Sequence, residues 1–316
     1  MMKTTFREEI LSGLQKELKT LPSKYFYDEN GDKLFQKIME MESYYLPKCE
    51  KEIIGDKSHE LATLISEETD AVDIIELGAG DGSKTKELLR QFQSTELDCT
   101  YLPMDISEYI LGVNEKTVSK DCPRLKIIPI AGDYFKTMEQ IKKRKNLKLV
   151  LFMGGNIGNY KHERAVDFLR KVNANLTNKD KILVAFDLKK HPKKILAAYD
   201  DVEGITKKFN LNLLQRINKE LSADFDLESF DHFASYDPVS GRTTSYLVSL
   251  KEQTVSINKE IIKFDKHEVI HMEVSKKYSL SDIEALAQEV GFETIRHFMD
   301  KEKEYTLSLL QASGGK

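Results

Sequence analysis

The chain has 316 residues, 40% of them apolar, and a formal net charge of −4. That is apolar mass enough for a real core and more length than one average domain. It excludes a general nucleic-acid surface, and no apolar run approaches the ~20 residues that cross a bilayer.

The N-terminal "MMKTTFREEILSGLQKEL" is charged and lacks the apolar centre of a signal peptide. Residues 1–53 read as helical and aromatic-rich, with "SKYFYDENGDKLF" and "MESYYLPKCEKEII". "AVDIIEL" (71–77) reads as a first buried strand and "KTKELLRQFQ" (84–93) as a helix. "CTYLPMDIS" (99–107), "LKIIPIAGDY" (125–134) and "LKLVLFMGGNIGNY" (147–160) read as the second, third and fourth strands. The basic run "IKKRKNLK" (141–148) is explained as a solvated helix end or loop. An amphipathic helix, "HERAVDFLRKVNANL" (162–176), precedes a fifth strand, "DKILVAFDLKK" (180–190). Continuous apolar strands alternating with helices mean a doubly wound parallel α/β sheet covered on both faces.

The rhythm changes at 191–272, where a helix, "GITKKFNLNLLQRINKEL" (204–221), gives way to alternating patterns such as "TSYLVSL" (244–250) and "QTVSI". A helix at 280–291 and two strands, "FETIRHFMD" and "EYTLSLLQA", then form a terminal hairpin expected on the sheet edge. The expected domains are 54–190 with 279–316 for the core, and 1–53 with 191–278 for a second, smaller α+β domain.

Cys49, Cys99 and Cys122 are widely separated without CxxC, and the seven histidines show no paired-ligand spacing. No metal site or disulfide framework is expected, and the expected location is a reducing cytoplasm.

The ligand signal lies in "ELGAGDGSKTKELL" (76–89), a strand end, a glycine-rich turn and a helix start. The phosphate-binding GxxxxGK[ST] pattern is absent, and Ser83 stands where the dinucleotide pattern GxGxxG needs its third glycine. The loop, Gly78-x-Gly80-x-Gly82, still lets its backbone approach a ligand closely. Glu76 ends the first strand, Asp105 ends the second and could take both ribose hydroxyls, and Asp133 follows the third and could receive an adenine amino group. Ligands bind outside the carboxyl ends of strands at the switch point. An adenosine without pyrophosphate, hence S-adenosyl-L-methionine, fits these groups. Against it, Asp at a strand end often only caps a helix.

Several further blocks carry a resemblance over nearly the whole chain: "LPSKYFYDENGDKLFQKI", "ESYYLPKCEKEII", "ELGAGDGSKT", "MGGNIGNY", "AAYDDVEGITKKFNLNLLQRINKELSADFD" and "MEVSKKYS". The chain resembles the histidine Nα-methyltransferases of ergothioneine biosynthesis. The resemblance implies a Rossmann-like class I methyltransferase core and a substrate site between the two domains. It implies Asn159 at the substrate α-amine with Gly154 close by, and Tyr44 and Tyr199 at the α-carboxylate. Tyr27 and Phe35 would border the amine and its growing methyl groups, and Glu273 and Ser275 would bind the imidazole. Gly78, Gly80, Lys84, Asp105 and Asp133 would contact the cofactor, with Glu76 at the same strand end. Ser245 stands where the family offers a methionine, Gly155 and Asn156 where it often has a small hydroxyl pair, and Val274 where threonine is frequent. The implied reaction is three methyl transfers to L-histidine, giving hercynine, with another free amino acid (tryptophan or tyrosine) as the alternative substrate. The expected partner is a small molecule, with no nucleic acid and no membrane, and the chain is expected to act as a monomer.

Overall fold

Unbroken burial from Val72 to Leu77 sets the architecture of the larger of two units. The computed structural model describes residues 5–313, so the ends of the expected domain ranges, 1–4 and 314–316, lie outside the described residues. Alternate residues of a strand point to opposite faces. Full burial of Leu147–Phe152 and Lys181–Asp187 therefore requires cover on both faces, as in a doubly wound sheet. The strand order is Lys126–Ile127, Asp98–Asp105, Ala71–Leu77, Leu147–Phe152, Lys181–Asp187, Tyr305–Ala312, Phe292–Met299, with Ile130–Ala131 also pairing on Asp98–Asp105. All pairs are parallel up to Lys181–Asp187, while Tyr305–Ala312 runs antiparallel to both of its neighbours. The terminal hairpin lies at the edge, as its pattern implies. The order reverses at Ala71–Leu77, which places the switch point at the glycine loop.

Three departures have local causes. The third strand is two short pieces, because Pro129 offers no N–H to the ladder between them. The fourth ends at Phe152 rather than running to 160: Gly154 and Gly155 take left-handed φ of +79° and +68°, and a 3-10 turn, Asn156–Asn159, follows. A helix, Glu108–Asp121, has no counterpart among the expected elements.

The larger unit comprises Leu46–Lys189 and Lys277–Lys316, the smaller Met1–Tyr45 and Lys190–Lys276. The division at 45/46 replaces the expected 53/54 because Leu46–Ser66 is one continuous helix, with Pro47 in its first turn, where a missing N–H costs nothing. The smaller unit is α+β. Its sheet runs Lys19–Thr20, Val269–Lys276, Arg242–Ser249, Phe230–Asp237, and Gln253–Ile257 with Glu260–Phe264 form a separate hairpin. Its own core joins Ile10, Leu14, Phe26, Phe209, Leu213 and Ile270.

Gly82, at φ +73°, could not carry a Cβ without approaching Asn114 Nδ2 and Val118 Cγ2 to 2.9 Å, whereas a Cβ at Gly80 would meet nothing within 4 Å. Both Gly80→Ala and Gly82→Ala incur a left-handed backbone cost of about 1–2 kcal/mol. Gly82→Ala adds a clash, so its urea midpoint should fall further; equal midpoints for the two variants would contradict this packing.

Candidate active site

Gly78, Gly80 and Gly82 all sit at positive φ, +72°, +54° and +73°. The conformation is held from below. The N–H groups of Gly78 and Ala79 both donate to the Met104 carbonyl at 2.9 and 3.1 Å. The fully buried Asn114 donates to the carbonyls of Gly80 (3.1 Å) and Ala79 (3.4 Å) and to the Tyr101 hydroxyl (3.4 Å). Tyr101 in turn donates to Glu76, which also accepts from Thr85 Oγ1 at 2.5 Å. Glu76, nominated from sequence as a cofactor contact, thus turns inward beneath the loop. Burial pushes its carboxyl up to about 7, against the hydrogen bonds of Thr85 and Tyr101 and the charge of Lys84, which favour the ionised form.

Asp105 stands beside the loop, accepting from the N–H of Gly80 (3.2 Å) and of Ser107 (3.1 Å). Its own carbonyl accepts from Gly132 N–H at 2.9 Å, which brings the neighbouring, exposed Asp133 to the same end of the sheet. The Asp133 carbonyl accepts from Thr137 N–H at 3.0 Å at the start of the helix Tyr134–Lys142. Lys84 begins the helix Thr85–Gln93, and its ammonium lies 2.8 Å from Glu50. Desolvation works against that charge, but Glu50, with Glu76 and Asp81, outweighs it and holds the lysine above its ordinary range. Gly154 N–H donates to the other oxygen of Glu50 at 2.6 Å. Asn159 ends the turn that follows and is exposed.

The nominated residues of the smaller unit fall into an aromatic pair, Tyr27 with Phe35, and a group joined by contacts and strand register, Tyr44, Tyr199, Ser275, Glu273 and Ser245. Tyr27 meets Phe35 edge-on, ring centroids 5.5 Å apart, and both meet Phe209. Burial, with the charges of Glu273 and Asp32, raises the Tyr27 hydroxyl above its ordinary range, although 45% of the residue's surface is exposed. Glu273 pairs in register with the buried Ser245, beside a bulge between His271 and Glu273. Two residues on, Ser275 Oγ accepts from the Tyr199 hydroxyl at 2.9 Å. The Tyr199 ring lies edge-on to Tyr44 at 6.2 Å, and its backbone carbonyl meets His232 Nε2 at 2.8 Å.

Sequence reasoning missed Glu50, Asn114, Tyr101, Thr85, His232 and Phe209. Only the last could have been found, as an apolar position of a periodic helix. The others act through partners distant in sequence. Cys49, Asp300 and Glu304 also bring ligand-type atoms within 4.8 Å of one another. Asp300, however, already accepts from the N–H groups of Glu302, Glu304 and Tyr305, a turn-capping role. No helix among the described residues is long and apolar enough to cross a membrane.

The residues present fit S-adenosylmethionine. The loop is open at Gly80, an acid stands at the next strand end, an ammonium stands at the helix start, and the pyrophosphate glycine pattern is missing. Together with the doubly wound sheet they define an S-adenosylmethionine-dependent methyltransferase of the Rossmann-like class. The profile described as "Histidine-specific methyltransferase, SAM-dependent" matches residues 6–312, and the chain belongs to that family. Similar proteins include the "Histidine N-alpha-methyltransferase" of Mycobacterium tuberculosis, 31% identical across 96% of this chain and 94% of the relative. "Ergothioneine biosynthesis protein 1" of Schizosaccharomyces pombe is 28% identical across 90% of this chain and 38% of that protein. The "L-tryptophan methyltransferase trpM" of Psilocybe serbica is 29% identical across 98% and 93%.

The Glu76 carboxyl predicts a pH effect of defined sign. With its folded value raised from 4.5 to about 7, the folded chain keeps a proton that the unfolded chain releases over that interval. The stability it contributes is complete below the unfolded value and is lost as pH rises through about 7. Urea titrations of the cofactor-free protein at about pH 5 and about pH 8 should show a smaller difference in Glu76→Gln than in the parent; identical pH slopes would contradict the assignment.

Proposed function

We propose that the protein transfers methyl groups from S-adenosylmethionine to the α-amine of L-histidine, three in succession, to give Nα,Nα,Nα-trimethylhistidine (hercynine). The observation that carries this reading is the chain of contacts from Tyr44 to the Tyr199 ring and from the Tyr199 hydroxyl to Ser275, two residues along the strand from Glu273, with the ring pair Tyr27–Phe35 supplying aromatic faces in the same unit. Two relatives similar over nearly the whole chain bear the name histidine N-alpha-methyltransferase, which supports the same substrate.

In this reading the bound cofactor supplies an already activated sulfonium methyl. The chain's own groups hold the acceptor in line and in the right protonation state. A free α-amine titrates at roughly 8, and its ammonium has no lone pair. Asn159 suits the task because a neutral amide oxygen accepts one N–H without favouring the charged form, as a carboxylate would. Gly154 leaves room beside it. Tyr44 and Tyr199 would give the α-carboxylate neutral donors of defined direction, the Tyr199 proton turning from Ser275 Oγ to the carboxylate when the substrate binds. Tyr27 and Phe35 offer ring faces to the methylated nitrogen, whose fixed positive charge is attracted to them. Glu273 accepts an imidazole N–H and Ser275 meets the other nitrogen, with Ser245 lining the same strand pair. A site of buried polar groups rejects an apolar isostere that leaves them unpaired. Asp105 and Asp133 would hold the ribose and adenine, Lys84 and the loop at Gly78 and Gly80 the remainder of the cofactor.

Mass spectrometry of histidine incubated with enzyme and cofactor should show successive methyl increments ending at three; no methylation at any histidine concentration would end the substrate claim. Glu273→Ala should raise the KM for histidine about 10- to 100-fold, the loss of a hydrogen bond to a charged group, and leave cofactor binding nearly unchanged. Asp105→Ala should do the reverse. Equal losses for both ligands in calorimetry would contradict these placements.

A further inference from the structure

The larger unit buries a carboxylate that the proposed roles leave unused. Glu50 lies on the helix Leu46–Ser66 and is 1% exposed. Its Oε1 accepts the Gly154 N–H at 2.6 Å and the Tyr305 hydroxyl at 3.1 Å, and its Oε2 accepts the Lys84 ammonium at 2.8 Å. Four separate pieces of chain therefore meet on one side chain: the long helix, the strand Tyr305–Ala312, the turn after Leu147–Phe152, and the helix start at Lys84. A carboxylate is costly to bury unless it is paired and hydrogen-bonded, and here both oxygens are. Tyr305 is fully buried within the sheet, so the point of attachment is rigid. The turn needs such an anchor: Gly154 and Gly155 are both left-handed, and glycine has little conformational preference of its own.

We propose that Glu50 is a positioning residue. It fixes the Gly154–Asn159 turn relative to Lys84, so that the amide assigned to the substrate amine and the ammonium assigned to the cofactor are held in one frame before either ligand arrives. The inference rests on the roles proposed for Asn159 and Lys84. The two oxygens divide the work: Oε1 holds the turn and Oε2 holds the ammonium. An amide in place of the carboxylate keeps an oxygen for the Gly154 N–H but turns an NH2 toward Lys84, so Glu50→Gln separates the two functions. Glu50→Ala removes both.

The test measures S-adenosylhomocysteine binding by calorimetry, and kcat and KM for histidine, in Glu50→Gln, Glu50→Ala and the parent, with thermal melts to confirm folding. Glu50→Gln should weaken S-adenosylhomocysteine about 10-fold, as expected for losing a charge-assisted hydrogen bond that orients Lys84, and change kcat little. Glu50→Ala should in addition lower kcat at saturation on the order of 10²-fold, the effect of a misplaced acceptor. A structural role alone would lower the melting temperature and leave the folded fraction with parental kcat and affinity; that result overturns the proposal. So does parental S-adenosylhomocysteine affinity in Glu50→Gln, which keeps the test decisive should Glu50→Ala fail to fold. The calorimetric arm needs no methyl acceptor. Failure of the parent to methylate histidine would therefore sink the functional reading while the calorimetry still decided the role of Glu50.

Discussion

A short chain of buried hydrogen bonds, from Asn114 through Tyr101 to Glu76 and back to Thr85, keeps the glycine loop in its left-handed path. Three glycines in a row of five residues have no local reason to adopt one conformation, since glycine loses more freedom on ordering than any other residue. The order comes from beneath. Asn114 spends its donors on the carbonyls of the loop and on Tyr101, and its Oδ1 is left without a partner among the described residues. Such an orphan is an unfavourable feature of a core, tolerated where the backbone it supports must be held open toward a ligand.

The acids around the loop then divide by environment. Glu76 is sealed beneath the loop, and burial pushes its proton affinity up. Asp105 stays at the strand end with two backbone N–H groups on it. Glu50 is sealed as deeply as Glu76 but has an ammonium for company. Similar carboxyl groups thereby take three environments: Glu76 supports the loop from within the core, Glu50 is buried against an ammonium, and Asp105 is left partly exposed at the strand end. The smaller unit follows another logic. Five of its seven nominated residues are linked by a ring contact, one hydroxyl–hydroxyl bond and strand register, and the other two, Tyr27 and Phe35, by a ring contact with each other.

The strands Ala71–Leu77, Asp98–Asp105, Leu147–Phe152 and Lys181–Asp187 were legible because each is buried on both faces and therefore mostly apolar. The pattern misled where a single residue overruled it: Pro129 split one strand, and Gly154 with Gly155 cut another short. The helix Glu108–Asp121 escaped notice for a functional reason. Asn114 occupies a fully buried position where an apolar residue would have completed the stripe, because the loop needs its amide there. The residues nominated in "IGN" and "EVS" were found through short motifs, and their roles are those proposed above. Glu50 was not found, since a glutamate in a helix ordinarily reads as a solvated charge, and its partners Lys84 and Gly154 lie 34 and 104 residues away. Glu76 was legible as a strand-end acid but not in its orientation, which depends on Tyr101, 25 residues on.

The central claim is that a neutral amide presents an unprotonated nitrogen to a methyl donor held by the switch-point loop. A crystal structure with S-adenosylhomocysteine and histidine tests it most directly. The account predicts the ribose on Asp105 and the Asn159 amide oxygen within hydrogen-bond distance of the histidine α-nitrogen. Adenosine bound away from the loop, or Asn159 turned from the nitrogen, would contradict it.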